Sequence, residues 1–319
     1  MHKRLVNHCT IDLSIMPVGP ILIKSGKEGA DPTKPDMEFV EAYHSGGRTI
    51  YLPGSSLKGA IRAHAERIVR TVGDDKPPTD IDSPKFWASD PLTHGDDYLK
   101  KTQEEKLASA TIYKRSSFTD QLFGNTAIAS RFRVEDAYPN PEKPLQLEER
   151  NGVAIDRIFG SVAVGPFNYQ VCTEGEFRTK IHLKNFTLAQ IALVGLVLRD
   201  LNEGWFGLGF AKSRGLGTVN VQLNSARVSY PGCILKDGQI GLIGSEKRWA
   251  VNALLGAGMF LEQNPYGFPD DDTANVPVAA QAMNLGFGVQ LTWNGQVQVE
   301  DLFIKSIPAW RQLLEGVSA

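Results

Sequence analysis

The sequence predicts an α+β fold, because strand-like and helix-like hydrophobic patterns alternate along it. Apolar and polar residues alternate at 10–15, 177–184 and 218–223, which is the period of a strand with one buried face. Residues 55–70 carry apolar side chains at helical spacing, and residues 188–201 are apolar almost throughout. The order strand, helix, long excursion, strand, helix, strand is typical of helices packed on one antiparallel sheet.

The first helix has recognisable ends. Leu57, Ile61 and Ala65 recur on one face, four residues apart. Ser55 is a residue type that caps helix N-termini, and Gly73 is typical of a C-terminal end. We therefore expect a helix over 55–70 that is capped by the Ser55 side chain.

The character of the chain changes after this helix. Residues 73–118 contain four prolines and two pairs of adjacent aspartates, with a short predicted helix at 103–110. Such a composition favours a segment inserted on the surface between core elements.

The next strand carries a basic outer face. Along 177–184, apolar residues alternate with Arg178, Lys180, His182 and Lys184. This face either contacts an anion such as RNA or is an ordinary solvated strand surface. Thr187 then caps the apolar helix, Gly204 ends it, and the last core strand follows at 218–223.

Composition limits the classes of function. The chain has 319 residues, long enough for two average domains or one elaborated domain, with 34 basic and 36 acidic residues. A near-neutral balance excludes a uniformly cationic nucleic-acid binder, so any RNA site must be a local patch. The isolated cysteines Cys9, Cys172 and Cys233 indicate neither a disulfide framework nor a zinc site. Because no signal peptide or membrane span is predicted, we expect a cytoplasmic protein with no membrane partner.

Two glycine-containing basic segments consist of residue types that bind phosphate. Residues 53–62 read Pro-Gly-Ser-Ser-Leu-Lys-Gly-Ala-Ile-Arg, so backbone amides, two hydroxyls and Lys58 meet at a helix N-terminus. Residues 207–217, here called the glycine loop, read Gly-Leu-Gly-Phe-Ala-Lys-Ser-Arg-Gly-Leu-Gly. A P-loop is excluded because Phe206 and Ala211 stand where that motif needs glycine. From the residues alone, an ordinary capped helix and a plain connecting loop stay open as alternatives.

Together these segments resemble the RAMP superfamily, and within it the backbone subunits that line guide RNA in type III CRISPR complexes. Residues 53–62 reproduce that family's Pro-Gly-Ser-Ser-x-Lys-Gly-x-x-Arg run, and the glycine loop lies where the superfamily has its glycine-rich loop. Further motifs follow in the family's order at 122–124, 130–131, 134–137, 155–160 and 174–177. The resemblance covers about residues 10–223.

The resemblance implies a domain organisation. The core would be a ferredoxin-like (RRM-like) α+β fold built from residues 1–72 and 119–224. It would carry an inserted surface subdomain at 73–118 and a thumb hairpin at about 138–171. Residues 225–319 form a C-terminal extension to which the resemblance assigns no role.

The resemblance also implies which residues contact RNA. Those expected to hold the guide are Gly54, Ser55, Ser56, Lys58, Arg62, Arg131, Arg157, Gly209, Lys212, Ser213, Arg214, Gly215 and Gly217. The thumb residues Ile158, Phe159 and Phe167 would wedge between bases of the guide–target duplex. The alternative for these three is hairpin packing or contact with a neighbouring subunit.

A catalytic carboxylate is implied as well. In cleaving members, an aspartate precedes a short extended segment and a glycine turn before the Pro-Gly-Ser-Ser helix. Asp36 has that position here, and Asp31 is the reserve. Either would orient or deprotonate a ribose 2′-hydroxyl, and Asp36 would also hold Mg²⁺ or another divalent metal. His44 is a further candidate acid, or simply an exposed loop histidine.

We therefore expect a guide (crRNA)-binding backbone subunit of a type III CRISPR ribonucleoprotein that also cleaves complementary target RNA within the complex. Its partners would be the guide, the target, other RAMP subunits and large subunits. Two departures from the family lie beside Asp36: Glu38 stands near the usual proline, and residues 22–26 replace a His-x-Gly-Gly segment. The alternatives are a non-catalytic structural subunit of the same complex and a guide-processing endoribonuclease of the superfamily. The latter generally has its glycine-rich loop near the chain end.

Overall fold

A computed structural model describes residues 4–26, 35–77, 86–90, 92 and 108–315. The strands in this part are β1 (His8–Pro17), β2 (Glu41–His44), β3 (Gly47–Ile50), β4 (Phe132–Val134), β5 (Tyr138–Pro139), β6 (Gln146–Ile155), β7 (Val162–Glu174), β8 (Phe177–Lys184), β9 (Val219–Tyr230), β10 (Cys233–Lys236), β11 (Gln239–Leu242), β12 (Arg248–Ala250), β13 (Ala253–Leu255), β14 (Thr273–Asn275), β15 (Gln281–Ala282) and β16 (Val289–Asn294). The α-helices are α1 (Gly54–Val72), α2 (Ser109–Arg115), α3 (Phe118–Phe123), α4 (Leu188–Asn202) and α5 (Gln296–Glu315).

The core is one antiparallel sheet with helices on one face. Its strand order is β15-β16-β9-β1-β8-β4, with β5 also paired to β8. The inner four strands β9-β1-β8-β4, connected through α1 and α4, have the 4-1-3-2 order of a ferredoxin-like fold. The α+β, ferredoxin-like prediction is confirmed. None of the described helices is both long enough and apolar enough to cross a bilayer.

Strand β1 lies inside the sheet, with one face buried against the helices and a paired neighbour on each edge. Cys9, Ile11 and Leu13 point into the core and are at most 2% exposed. The strand pairs with β8 from His8 to Ile15 and with β9 from His8 to Pro17. Burial of these apolar side chains against the helices is the main stabilising contribution of the strand.

Helix α1 begins as predicted but is capped differently. The residue before its first turn is Pro53, and the Ser55 side chain makes no capping hydrogen bond. Instead the Asp136 carboxylate accepts from the Gly54 amide at 2.7 Å. The predicted Ser55 cap is therefore wrong, because a negatively charged group from a distant loop satisfies the positive end of the helix. Gly73 ends the helix as expected.

Helix α4 confirms the sequence prediction closely. Thr187 and Gln190 form a reciprocal capping box, and the side chains from Leu188 onward are mostly buried. An almost fully apolar helix must be covered on several sides. Helix α5 supplies part of this cover, since the Phe303 ring lies against Gly195, where an added Cβ would come within 2.5 Å of it.

The thumb hairpin consists of β6 and β7, which pair only with each other along most of their length. These two strands span residues 146–174, whereas the resemblance implied a thumb hairpin at about 138–171. Most of its side chains are exposed on both faces.

The segment 73–118 was predicted to lie on the surface, but several of its described residues are buried. Phe86 and Trp87 are each 3% exposed, and the Phe86 ring meets Trp310 edge-on at 5.1 Å. These residues belong to the core, since their rings are needed to cover α5. Of the helix predicted at 103–110, residues 103–107 lie outside the described residues, and α2 runs from Ser109 to Arg115.

The C-terminal residues complete the sheet instead of forming a separate extension. Strand β9 continues through position 225 to Tyr230, and β16 pairs beside it. The predicted boundary at 224/225 therefore falls inside a strand. Alternation in 218–223 identified the strand but not its length, because Asn224 interrupts the pattern at a β-bulge opposite Asp12 and Leu13.

A buried ionic cluster joins β1, β8 and the base of the thumb hairpin. The Glu176 carboxylate accepts from Ser14 Oγ at 2.6 Å and from Asn140 Nδ2 at 3.1 Å. It also pairs with Lys143 at 2.8 Å and Arg178 at 3.0 Å. Burial raises the pKa of Glu176, but the hydrogen bonds from these four partners outweigh it and lower the pKa to about 2. The carboxylate is held ionised.

Candidate RNA interface

A short extended stretch at residues 20–25, here called the anchor segment, binds the glycine loop. The Leu22 carbonyl accepts from the Phe210 amide at 2.7 Å, and the Pro20 carbonyl accepts from the Gly217 amide at 2.9 Å. These bonds fix both ends of the glycine loop to the segment that leaves β1. This contact could not be predicted from the sequence, because the two segments are nearly 200 residues apart.

Close packing explains two glycines of the loop. A Cβ on Gly209 would lie 2.2 Å from the Leu22 carbonyl oxygen, and one on Gly217 would lie 2.2 Å from the Leu208 carbonyl oxygen. Both have positive φ, at 80° and 89°. These glycines allow close approach within the chain, whereas the sequence argument assigned that approach to a ligand. Gly215, with φ 84°, has nothing within 4 Å of its ideal Cβ.

The basic centre of the loop faces solvent. Lys212, Ser213 and Arg214 form a single exposed 3-10 turn between two residues in left-handed conformation, Ala211 and Gly215. The Arg214 guanidinium lies 5.0 Å from the centroid of the Phe210 ring. Two cations and a hydroxyl are thus presented together without a carboxylate partner in any contact seen in the described chain.

The N-terminus of α1 is partly occupied by the chain itself. Asp136 accepts from the Gly54 amide, while Ser55 and Ser56 are exposed beside it. Lys58 donates to Ser130 Oγ at 2.8 Å, and burial together with the charge of Arg62 lowers the pKa of Lys58. The surface that α1 offers to a phosphate therefore consists of two hydroxyls and one lysine.

Two predicted RNA-binding arginines are engaged internally. Arg62 pairs with Asp120 at 2.8 Å and with Glu66 at 2.7 Å, and it also donates to the Gly124 carbonyl. Arg131 is only 5% exposed and its guanidinium lies 3.9 Å over the Tyr113 ring. Their side chains hold α1, α3 and the core together, and neither presents a free guanidinium to RNA. The sequence could not distinguish them from surface arginines, because Asp120, which pairs with Arg62, lies 58 residues away, and Tyr113, which the Arg131 guanidinium covers, lies on a separate helix.

Asp36 lies beside the middle of the thumb hairpin, at Asn168 of β7. Its carboxylate is exposed and accepts from the Asn168 amide at 2.9 Å. Met37 continues the contact, donating to the Asn168 carbonyl at 3.1 Å and accepting from the Gln170 amide at 3.1 Å. Residues 36–40, here called the Asp36 segment, thus lie along β7. Asp31 lies outside the described residues.

The tip of the thumb hairpin is apolar and exposed. Ile158 and Phe159 are 83% and 82% exposed, and the Asp156 carboxylate holds their turn by accepting from both amides. Arg157 is exposed between them and Asp156. Phe167, by contrast, lies on Gly152 across the two strands, away from the tip. Of the three predicted wedge residues, two are therefore together at the tip and one is not.

His44 forms part of an aromatic column. Its ring is stacked on the Tyr138 ring, with the two centroids 3.7 Å apart and an interplanar angle of 9°. The Tyr51 ring is also stacked on Tyr138, with the centroids 5.6 Å apart. These stacked rings lie beside the start of α1, near Asp136. Sequence reasoning assigned no role to Asp136, although it lies in the motif at 134–137, and none to Tyr51 and Tyr138, whose only signal was their closeness to recognised motifs.

The Asp36 segment connects these elements. Val40 donates to the Ile23 carbonyl at 2.9 Å in the anchor segment and accepts from the Tyr51 amide at 3.4 Å. Ile21 exchanges two backbone hydrogen bonds with Cys172 of β7. The glycine loop, the Asp36 segment, the thumb base and the start of α1 are therefore assembled around two adjacent stretches, 20–25 and 36–40.

A resident metal ion fits this arrangement poorly. Among the described residues, no group of three or more His, Cys, Asp or Glu side chains is suitably placed to hold one. Mg²⁺ is commonly bound by one or two carboxylates, with phosphate oxygens and water as further ligands. Asp36 alone fits only a site that the RNA completes.

Comparison with known proteins gives one match. The family model described as RAMPs, the RAMP superfamily, matches residues 15–220 of the 319. The match begins in β1 and ends in β9, so it spans most of the ferredoxin-like core together with the anchor segment, the Asp36 segment, α1, the thumb hairpin and the glycine loop. No curated protein matches the chain at the threshold applied.

Proposed function

The chain belongs to the RAMP superfamily, a family of CRISPR-associated RNA-binding proteins, and on that premise we propose that it is a guide-holding backbone subunit of a type III CRISPR ribonucleoprotein that also cleaves target RNA. The observation that carries the proposal is the convergence of the glycine loop, the Asp36 segment and the thumb hairpin on the anchor segment.

Guide binding rests on the exposed polar groups of the two motifs. Lys212, Ser213 and Arg214 offer two cations and a hydroxyl on one turn. Ser55 and Ser56 offer hydroxyls at the start of α1. Contacts of this kind hold a phosphate backbone without reading bases, so sequence specificity belongs to the guide. Arg62 and Arg131 are not part of this proposed surface, since both are engaged inside the chain.

Cleavage rests on Asp36. An exposed carboxylate oriented by the Asn168 amide can accept the proton of a ribose 2′-hydroxyl. The resulting alkoxide attacks the adjacent phosphate, and the 5′-oxygen of the next nucleotide leaves, giving a cyclic phosphate and a 5′-hydroxyl. The exposed apolar tip of the thumb hairpin would displace a base and free the backbone to reach the in-line geometry. Asp36 would hold Mg²⁺ or another divalent metal, whose chemical contribution would be to stabilise the negative charge that develops on the phosphate.

The test is cleavage of labelled complementary RNA by the reconstituted complex, with magnesium and with chelator. Asp36→Asn removes the charge but keeps an oxygen able to accept from Asn168. We expect it to lower the cleavage rate by about 10²-fold to 10⁴-fold, the usual contribution of a general base, while the amount of guide retained is unchanged. Glu149→Gln, an exposed carboxylate on β6, is the matched control and should cut normally.

A non-catalytic backbone subunit is the second candidate. It is favoured by the absence, in the described chain, of any other carboxylate or histidine grouped with Asp36 as a metal site. Full cleavage by the Asp36→Asn complex would move the catalytic role to Asp31 or to another subunit, and no cleavage by wild type in magnesium would establish the non-catalytic candidate.

A further inference from the structure

The sheet has a second face that none of the described helices covers, here called the open face. Helices α1, α4 and α5 pack on the side of the sheet that carries Cys9, Ile11 and Leu13. The opposite side is formed by the alternate residues of β4, β8, β1, β9 and β16, which the pairing register brings into rows. The proposed guide contacts lie on loops and on α1, so the open face is a separate surface.

The open face is rich in cations. The cationic side chains there are Arg133, Arg178, Lys180, Lys184 and Arg227. Those of Arg133, Arg178 and Lys180 are 67%, 55% and 50% exposed. The register aligns Arg133, His182, Thr10, Arg227 and Thr292 in one row. With adjacent strands about 4.8 Å apart, this row is roughly 19 Å long.

Two of these cations have no carboxylate partner in the described structure. Arg133 pairs with Glu135 at 3.2 Å and Arg178 with Glu176 at 3.0 Å, while Lys180 is 4.0 Å from Asp12. No such pair involves Lys184 or Arg227 in this part of the chain. The face therefore carries an excess of positive charge.

The floor between the cations is polar and free of aromatic rings other than imidazoles. Thr10 Oγ1 lies 3.3 Å from His182 Nδ1, and the two histidine rings His8 and His182 are 5.5 Å apart. Burial, then the neighbouring charges of His182, Arg133 and Lys184, lower the pKa of His8. A surface of cations and hydroxyls without stacking rings suits phosphates and not bases.

We propose that the open face binds a single-stranded stretch of the target RNA through its phosphates. RNA is chosen as the occupant because its phosphates complement the positive charge of the face. The target strand is chosen because of the expected strength of binding. Three of the five cations are shared with carboxylates, which makes binding weak and salt-sensitive, as suits a strand that is captured and released. The permanently held guide already has the glycine loop. The identity of the strand rests on the proposed function, whereas RNA binding by the face does not.

The first experiment uses the full chain and a single-stranded RNA of mixed sequence. The double variant Lys184→Gln, Arg227→Gln removes the two unpartnered cations, and Lys236→Gln, Lys305→Gln removes two exposed lysines elsewhere. For single strands, each lost phosphate contact reduces the slope of log affinity against log salt concentration by about 0.7 in magnitude. The face variant, which loses two contacts, should therefore show a slope that is smaller by about 1.4. Between about 50 and about 200 mM salt, its affinity should then fall about sevenfold less than that of wild type. The control variant should behave as wild type, and an unchanged slope in the face variant would overturn the proposal.

The second experiment is a lysine-modification footprint on the reconstituted complex. Addition of target RNA should protect Lys180 and Lys184 from acetylation but leave Lys236 reactive. Protection by the guide alone, before target is added, would assign the face to the guide and overturn our choice of occupant. Lack of protection in both states would overturn RNA binding at the face itself. Either result is distinguishable from failure of cleavage, which is measured separately.

Discussion

Replacing Gly209 by alanine tests whether the glycine loop needs glycine for its own packing. Two costs add. A non-glycine residue at φ 80° costs about 1 to 2 kcal/mol. The new Cβ would also lie 2.2 Å from the Leu22 carbonyl oxygen, against an ordinary contact of at least 3.4 Å. Overpacking of this kind costs about 1 to 3 kcal/mol. We therefore expect Gly209→Ala to lower the free energy of unfolding by about 2 to 5 kcal/mol.

Gly215→Ala is the matched control, because its φ is 84° and no atom lies within 4 Å of the ideal Cβ. It should cost only the conformational term of about 1 to 2 kcal/mol. Urea unfolding followed by tryptophan fluorescence measures both. Equal destabilisation of the two variants would refute the contact with Leu22, and the glycine at 209 would then be required only for its backbone conformation.

Two further predictions concern buried charges. Because the folded pKa of Glu176, about 2, lies below its ordinary 4.5, its carboxylate stabilises the fold above about pH 4.5 and loses that contribution as the pH falls towards 2. Unfolding measured against pH should show Glu176→Gln less stable by about 2 kcal/mol at pH 7, with the difference vanishing near pH 2; a constant difference would contradict this. Arg62→Met removes the guanidinium that pairs with Asp120, whose side chain is 2% exposed. It should cost about 3 to 5 kcal/mol, and addition of Asp120→Asn should recover part of the loss. A stable Arg62→Met protein that fails to hold guide would instead restore Arg62 to the RNA surface.

Local signals allowed much of the fold to be predicted. The strand at 177–184 was located to the residue, because its two faces differ in every side chain. The cap at Thr187 was also correct, since its partner Gln190 is only three residues away. The ferredoxin-like order, however, came from the family resemblance and not from periodicity.

Features set by distant contacts could not be predicted. The cap of α1 comes from Asp136, 82 residues away in the chain. The glycine at 209 is explained by Leu22, and the burial of Arg131 by Tyr113. The pattern identified the residue types at the candidate site but not their partners, and partners decide whether a charged side chain is available to a ligand.

The central position of β1 has a consequence for synthesis of the protein. This N-terminal strand pairs with β8 and β9, whose residues end at Tyr230. At about 5 to 20 residues per second, the ribosome needs roughly 10 to 45 s to extend the chain from β1 to the end of β9. Until β8 ends at residue 184, β1 lacks both neighbouring strands, and until residue 230 it still lacks part or all of β9. The nascent chain is thus a natural client for chaperones, and slow translation before residue 230 should increase its loss to aggregation or degradation.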